Sequence, residues 1–103
     1  ENPFRLSEVK TVFNQESFKV DFILSKVKLD STIKSGTSAI DLVDENNNVI
    51  ASSEKNIYKF KTARVSRFEL NGIRSIPTKM RIKLNDATSK TDLVLEEIIN
   101  LRR

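Results

Sequence analysis

The stretch that decides the fold is Phe18-Lys19-Val20-Asp21-Phe22-Ile23-Leu24-Ser25. Phe18, Val20, Phe22 and Leu24 occupy every second position, and the residues between them are mostly polar. Side chains of a β-strand point to opposite faces in turn, so this period of two buries one face and leaves the other in water. The same alternation returns in Met80-Arg81-Ile82-Lys83-Leu84. The chain is therefore predicted to be all-β.

Length and composition indicate one small domain. The chain has 103 residues, of which 38% are apolar and 31% are charged, a balance typical of a folded protein rather than a disordered one. With only two glycines and two prolines, no linker is evident. We expect residues 1–103 to form a single β-sandwich domain. Because the chain starts at Glu1 without a methionine and stops abruptly after Arg102 and Arg103, we expect it to be excised from a longer protein.

The alternation continues outward into further strands separated by polar turns. Strands are predicted at residues 4–13, 17–29, 37–43, 49–51, 57–61, 65–70 and 78–84. The first is expected to carry a bulge or to lie at a sheet edge, because its alternation is imperfect. Breaks are predicted at 14–16, at 30–36 with Gly36 as the breaker, at 44–48 and at Asn71-Gly72. Residues 91–101 fit a strand and also a helix, and closure of the sheet favours the strand.

Six to eight strands at this spacing predict an immunoglobulin-like antiparallel β-sandwich. Phe4 and Phe13 are candidates for packing against a neighbouring domain. The predicted core consists of Phe18, Val20, Phe22, Leu24, Ile40, Leu42, Tyr58, Phe60, Phe68, Leu70, Met80, Ile82 and Leu84.

The residue types that usually carry catalysis and transition-metal binding are missing. The chain has neither histidine nor cysteine. Four Ser-x-x-Lys spacings are at the frequency expected by chance, and the companion motifs of serine–lysine hydrolases are absent. Asp44-x-Asn46-x-Asn48 imitates the start of a calcium loop, but Val49 and Lys55 stand where that loop needs glycine and glutamate. We predict no enzyme, no cofactor, no metal site and no small-molecule substrate; the least favoured alternative is an enzyme whose site another chain completes.

Positive charge is concentrated in the second half of the chain. Residues 55–103 contain twelve of the 18 basic residues and only five of the 14 acidic ones. If the strands at 57–61 and 78–84 share a sheet, their outward lysines form a basic stripe that could bind a polyanion such as nucleic acid, an anionic wall polymer or a membrane surface. The alternative is a solvated face that keeps strand edges apart. The candidate polyanion-binding residues are Lys59, Lys61, Arg64, Arg67, Lys79, Arg81 and Lys83.

Residues 38–84 resemble a known group of modules. Ile40-Asp41-Leu42-Val43-Asp44-Glu45-Asn46-Asn47, Tyr58-Lys59-Phe60, Phe68-Glu69-Leu70-Asn71-Gly72, Ile76-Pro77 and Met80-Arg81-Ile82-Lys83-Leu84 follow one another in that order. This order resembles immunoglobulin-like modules of Gram-positive bacterial surface proteins and of the outer domains of membrane-bound anti-sigma factors. The resemblance implies an extracytoplasmic role in interaction, sensing or spacing, with protein partners or neighbouring domains, and it carries over no active-site residue.

Overall fold

The computed structural model describes residues 2–99, and its regular structure consists of eight β-strands. The strands are β1 (Phe4–Asn14), β2 (Ser17–Lys26), β3 (Lys34–Val43), β4 (Val49–Ser52), β5 (Asn56–Phe60), β6 (Ala63–Leu70), β7 (Lys79–Asp86) and β8 (Thr91–Ile98). All pairings are antiparallel, and the strands form two sheets that pack against each other as a β-sandwich. The predicted all-β fold class is confirmed.

The chain passes several times between the two sheets. The three-stranded sheet has the order β1-β2-β6, and the five-stranded sheet has the order β4-β3-β7-β8. β5 also pairs with β3, along Lys34–Ser38, so β4 and β5 share the edge of β3 that β7 does not occupy. The chain crosses between the sheets from β2 to β3, from β5 to β6 and from β6 to β7, which places the second strand beside the sixth and the third beside the seventh.

Most predicted strands are confirmed, with two changes. β2 ends at Lys26 rather than at residue 29, and the predicted break at 30–36 is wrong in its second half, because β3 already begins at Lys34. Residues 91–98 form the strand β8, so the strand alternative for the segment 91–101 is confirmed over the helix. The part of that segment beyond residue 99 lies outside the described residues. The predicted bulge in β1 lies between Ser7 and Lys10.

Gly36 lies inside β3 and does not break it. A Cβ atom at this position would overlap the backbone carbonyl of Asn85 and would lie 2.9 Å from the hydroxyl oxygen of Tyr58. The Tyr58 hydroxyl donates a hydrogen bond of 2.9 Å to that same carbonyl. The glycine therefore lets β3 and β7 approach closely where Tyr58 crosses between them.

The core contains the predicted residues and several more. Of the predicted set, only Leu70 is half-buried, while all the others are buried. Phe4 is also in the core, where it meets the ring of Tyr58 edge-on with centroids 5.8 Å apart, and Phe13 packs against the core from its margin. Phe4 is therefore part of this domain's own core rather than a contact for a neighbouring domain. Sequence reasoning missed Ala39, Val43, Ile73 and Ile99.

The strands run along the long axis of the molecule. The Cα atoms span 42 × 22 × 22 Å, and a ten-residue strand is about 33 Å long, so only the longest axis accommodates it. β1 begins where β2 ends, since Phe4 lies opposite Lys26, whereas β8 ends where β7 begins, since Ile98 lies opposite Lys79. We call the end where β1 begins the proximal end and the end where β8 finishes the distal end.

Candidate functional site

The predicted basic stripe is divided between the two sheets. Lys79, Arg81 and Lys83 lie in β7 and Lys59 lies in β5, so these four residues do share the five-stranded sheet as anticipated. Lys61 belongs to the link between β5 and β6. Arg64 and Arg67 lie in β6, which belongs to the opposite sheet.

Within the five-stranded sheet, Lys59 is also remote from the β7 cations. β5 and β7 flank β3 on opposite edges, with Lys59 opposite Ser35 and Lys83 opposite Ala39. Ser35 and Ala39 are four residues apart along β3, which corresponds to about 13 Å. The seven candidates therefore form three separate groups rather than one continuous stripe.

Carboxylates interleave with the cations of β7. Glu96 of β8 lies 3.3 Å from Lys79 and 3.8 Å from Arg81, and Asp41 of β3 lies 3.3 Å from Lys83. In the other sheet, Asp21 lies 3.2 Å from Arg67. These partly exposed pairs each contribute little to stability, about 0–1 kcal/mol. They matter for function because they offset the positive potential that a polyanion would need.

The turn at Asp44 uses its carboxylate for its own backbone. Oδ1 of Asp44 accepts hydrogen bonds of 2.9 Å from the amides of Asn46 and Asn48, and Asn47 takes a positive φ of 64°. This is the predicted β3–β4 hairpin turn, and the side chain acts as a cap rather than as the first ligand of a calcium loop. Residues 2–99 contain no group of three or more acidic side chains positioned to hold a metal ion.

A largely buried ion pair joins β3 to β7 at the proximal end. Nζ of Lys34 lies 3.1 Å from Oδ2 of Asp86, whose side chain is fully buried, and also 5.7 Å from the ring centroid of Phe4. Burial raises the pKa of Asp86, but hydrogen bonds from Lys34, Ser89 and Thr88 outweigh it and leave the pKa below its ordinary value of 3.8. Asp86 is therefore a carboxylate at neutral pH, and it holds β3, β7 and the turn at Ser89 together.

Tyr58 shares this environment. Burial, aided by the negative charge of Asp86, raises the pKa of Tyr58 to about 12. The hydroxyl is used as a donor to Asn85 rather than offered to a ligand. The arrangement is structural: it fixes packing, and it presents no nucleophile or base to solvent.

A second buried charge, Lys26, lies at the end of β2. Its side chain is 3% exposed and bonds the carbonyl and carboxylate oxygens of Asp30 and the carbonyl of Thr32. Sequence reasoning missed both Lys26 and Asp86, although a signal was present. Lys26 continues the alternation of Phe22 and Leu24, and Asp86 continues that of Ile82 and Leu84, so each is in phase with a buried face.

The surface depressions are shallow and of mixed polarity. A groove of about 490 Å³ separates β5 from β6 and is lined by Ser38, by Asn56 and Ile57, and by residues 64–67. Another, of about 600 Å³, lies over β3, β7 and β8 and includes Lys55, Lys83 and Asp92. Across residues 2–99 no helix is long and apolar enough to cross a membrane.

Comparison with known proteins adds no relative. No protein-family model matches the chain, and no curated protein matches it.

Proposed function

We propose that this domain is a non-catalytic interaction or spacer module of a larger bacterial surface or membrane-anchored protein. The observation that carries the proposal is the path of the chain. β1 starts at the proximal end and β8 finishes at the distal end, so the polypeptide traverses the whole 42 Å axis of the sandwich. A domain built in this way can be inserted in series into a longer chain and adds its own length to the span.

The extracytoplasmic setting in this proposal rests on the sequence resemblance of residues 38–84 alone. The alternative is a polyanion-binding module that uses Lys59, Lys61, Arg64, Arg67, Lys79, Arg81 and Lys83. The division of these residues into three groups and the carboxylates beside four of them favour the module.

The test is mechanical, because a spacer has to carry load along its axis. The chain has no cysteine of its own, so handles can be attached at Arg5→Cys near the proximal end and Ile98→Cys at the distal end. Force along the axis loads the hydrogen bonds of a terminal strand together, and we expect one cooperative unfolding event. The gain in length is roughly 300 Å, since extended residues span at most about 3.6 Å each.

The matched control pulls from one end only. Handles at Asn47→Cys and Ile98→Cys both lie at the distal end, because Lys79 contacts Asn47 and lies opposite Ile98. This geometry separates hydrogen bonds one after another, and we expect the unfolding force to be clearly lower than for the axial pair of handles. Equal forces in the two geometries contradict the spacer role. Binding of DNA or heparin that weakens with salt and disappears in a Lys79/Arg81/Lys83→Glu variant instead supports the polyanion alternative.

A further inference from the structure

The proximal end is built from three loops that hydrogen bonds hold together. The loop between β2 and β3, residues 27–33, touches the start of the chain through the amide of Val27 and the carbonyl of Pro3 at 2.9 Å. The amide of Lys26 bonds the carbonyl of Thr62 at 3.4 Å in the β5–β6 link. Thr88, in the β7–β8 turn, donates its hydroxyl to the carbonyl of Ile33 at 3.5 Å. These segments therefore form one surface.

The loop 27–33 is held in shape by the buried Lys26. Nζ of Lys26 donates to the carbonyl of Asp30 at 2.6 Å, to its carboxylate at 2.8 Å and to the carbonyl of Thr32. The same carboxylate accepts the amide of Thr32 at 2.9 Å. A single ammonium group thus donates to three acceptors of one loop. Because the loop is already ordered, binding of a partner would cost less conformational entropy.

The ordered loop presents aliphatic side chains to solvent. Leu29 is 88% exposed, Ile33 49% and Val27 41%. Each of them leaves apolar surface in water that a binding partner would cover, and Leu29 projects almost completely.

Lysines surround these aliphatic residues. Segments 26–34, 61–62 and 86–90 contain five lysines and two aspartates, a net charge of +3. Both aspartates are already paired, Asp30 with Lys26 and Asp86 with Lys34. The other three lysines, Lys28, Lys61 and Lys90, are exposed and form no ion pair with any residue in the range 2–99.

We infer that the proximal end docks on an anionic lipid bilayer, with Leu29 inserted among the headgroups and Lys28, Lys61 and Lys90 bound to phosphate oxygens. A projecting aliphatic group ringed by cations suits such a surface, where apolar burial and attraction to anionic lipid add together. A protein interface is less well matched, because interface cores are enriched in aromatic residues and arginine and depleted in lysine. The three loops contain neither an aromatic residue nor an arginine. The inference does not depend on the spacer proposal.

The test is co-sedimentation of the 103-residue chain with vesicles of phosphatidylcholine containing 30% phosphatidylglycerol, and with vesicles of phosphatidylcholine alone. Binding is expected only to the anionic vesicles and should weaken as salt rises. Leu29→Ser should weaken it at least about tenfold through lost apolar burial. Lys28→Glu with Lys90→Glu should weaken it at least about 25-fold, since each lysine near the surface is worth roughly fivefold.

Matched controls keep the chemistry of each change and move it away from the proximal end. Val94→Ser replaces an aliphatic residue of β8 that is 55% exposed, and Lys10→Glu with Lys19→Glu reverses two exposed lysines of β1 and β2. Both should bind as the unmodified chain does. Absence of binding to anionic vesicles overturns the inference, as does binding that the control substitutions weaken as much as those at the proximal end.

Discussion

At the residue scale, Lys26 and Asp86 place charge in positions where the alternation calls for apolar side chains. Both are buried, and each has an opposite charge within hydrogen-bond distance, Asp30 for Lys26 and Lys34 for Asp86. A buried charge without such partners would be strongly destabilising. Both lie at the proximal end, where they tie loops to the sandwich. Polar residues therefore organise this end, whereas apolar packing organises the centre.

The ionisation of Tyr58 gives a prediction that one spectroscopic measurement can check. The pKa of Tyr58 is raised from 10 to about 12 in the folded chain, so the folded state releases this proton later than the unfolded state does. The contribution of the neutral phenol to the free energy of unfolding is therefore fully present below pH 10 and is lost as the pH rises towards 12. Tyr58 is the only tyrosine, so ultraviolet absorbance of the phenolate reports it alone.

Tyr58→Phe is the control for this prediction. The variant should lack the part of the alkaline loss of stability that belongs to the phenol, although the titration of lysines remains. A midpoint near pH 10 for the folded chain would contradict the burial of the hydroxyl against Asn85.

At the scale of elements, the outer strands differ in how they avoid pairing with other chains. β1 carries a bulge, at which Glu8 has a φ of 50°, and β4 has only four residues. β8 is regular over eight residues, but Glu97 lies on the face that Leu93 and Leu95 turn towards the core, opposite the buried Met80. Bulges, short strands and inward-pointing charges are all known to protect sheet edges.

Replacing Glu97 should remove the charge that protects the edge of β8 from pairing with another chain. Glu97→Val completes an apolar face on this strand, and we expect self-association at least about tenfold tighter, measured by analytical ultracentrifugation. Lys19→Val makes a similar change on β2, which lies between two neighbours, and should leave the chain no more associated than before. If both variants associate equally, apolar surface in general, rather than the edge, is responsible.

At the scale of the whole molecule, stability depends on a single core between the sheets. Phe22 is 1% exposed and stacks on Phe68 of the neighbouring strand, with ring centroids 6.0 Å apart. Domains of this size have an unfolding free energy of roughly 5–15 kcal/mol, so one severe defect in the core is enough to unfold them. Surface changes of the same chemistry have no such effect.

Phe22→Asp is accordingly expected to unfold the domain. Loss of a buried phenylalanine costs about 3–5 kcal/mol, and burial of an unpaired carboxylate adds to that. Val12→Asp, at a position that is 59% exposed, should melt much like the unmodified chain. Thermal melting followed by circular dichroism compares the two, and a cooperative transition in Phe22→Asp would contradict the role assigned to this residue.

The sequence by itself determined the all-β class, most strand positions, the turn at Asp44 and almost the entire central core. These features depend on neighbours along the chain, because a period of two and a turn motif are local patterns. The same alternation extends to Lys26 and Asp86 and places both on buried faces. The alternation does not show which opposite charge lies beside each of them. Asp86 finds Lys34 in another strand, 52 residues away in the chain.

Only the tertiary structure decided how the strands are assigned to sheets, and this assignment governs the function of the surface. It placed Arg64 and Arg67 in a different sheet from Lys79, Arg81 and Lys83, and it brought Asp41 and Glu96 beside the β7 cations. It also allowed β3 to pass close to β7 at Gly36, where a break was predicted, and gathered Leu29 at the proximal end with three lysines that form no ion pair within residues 2–99. Such proximities arise from packing between segments distant in sequence, which no local pattern encodes.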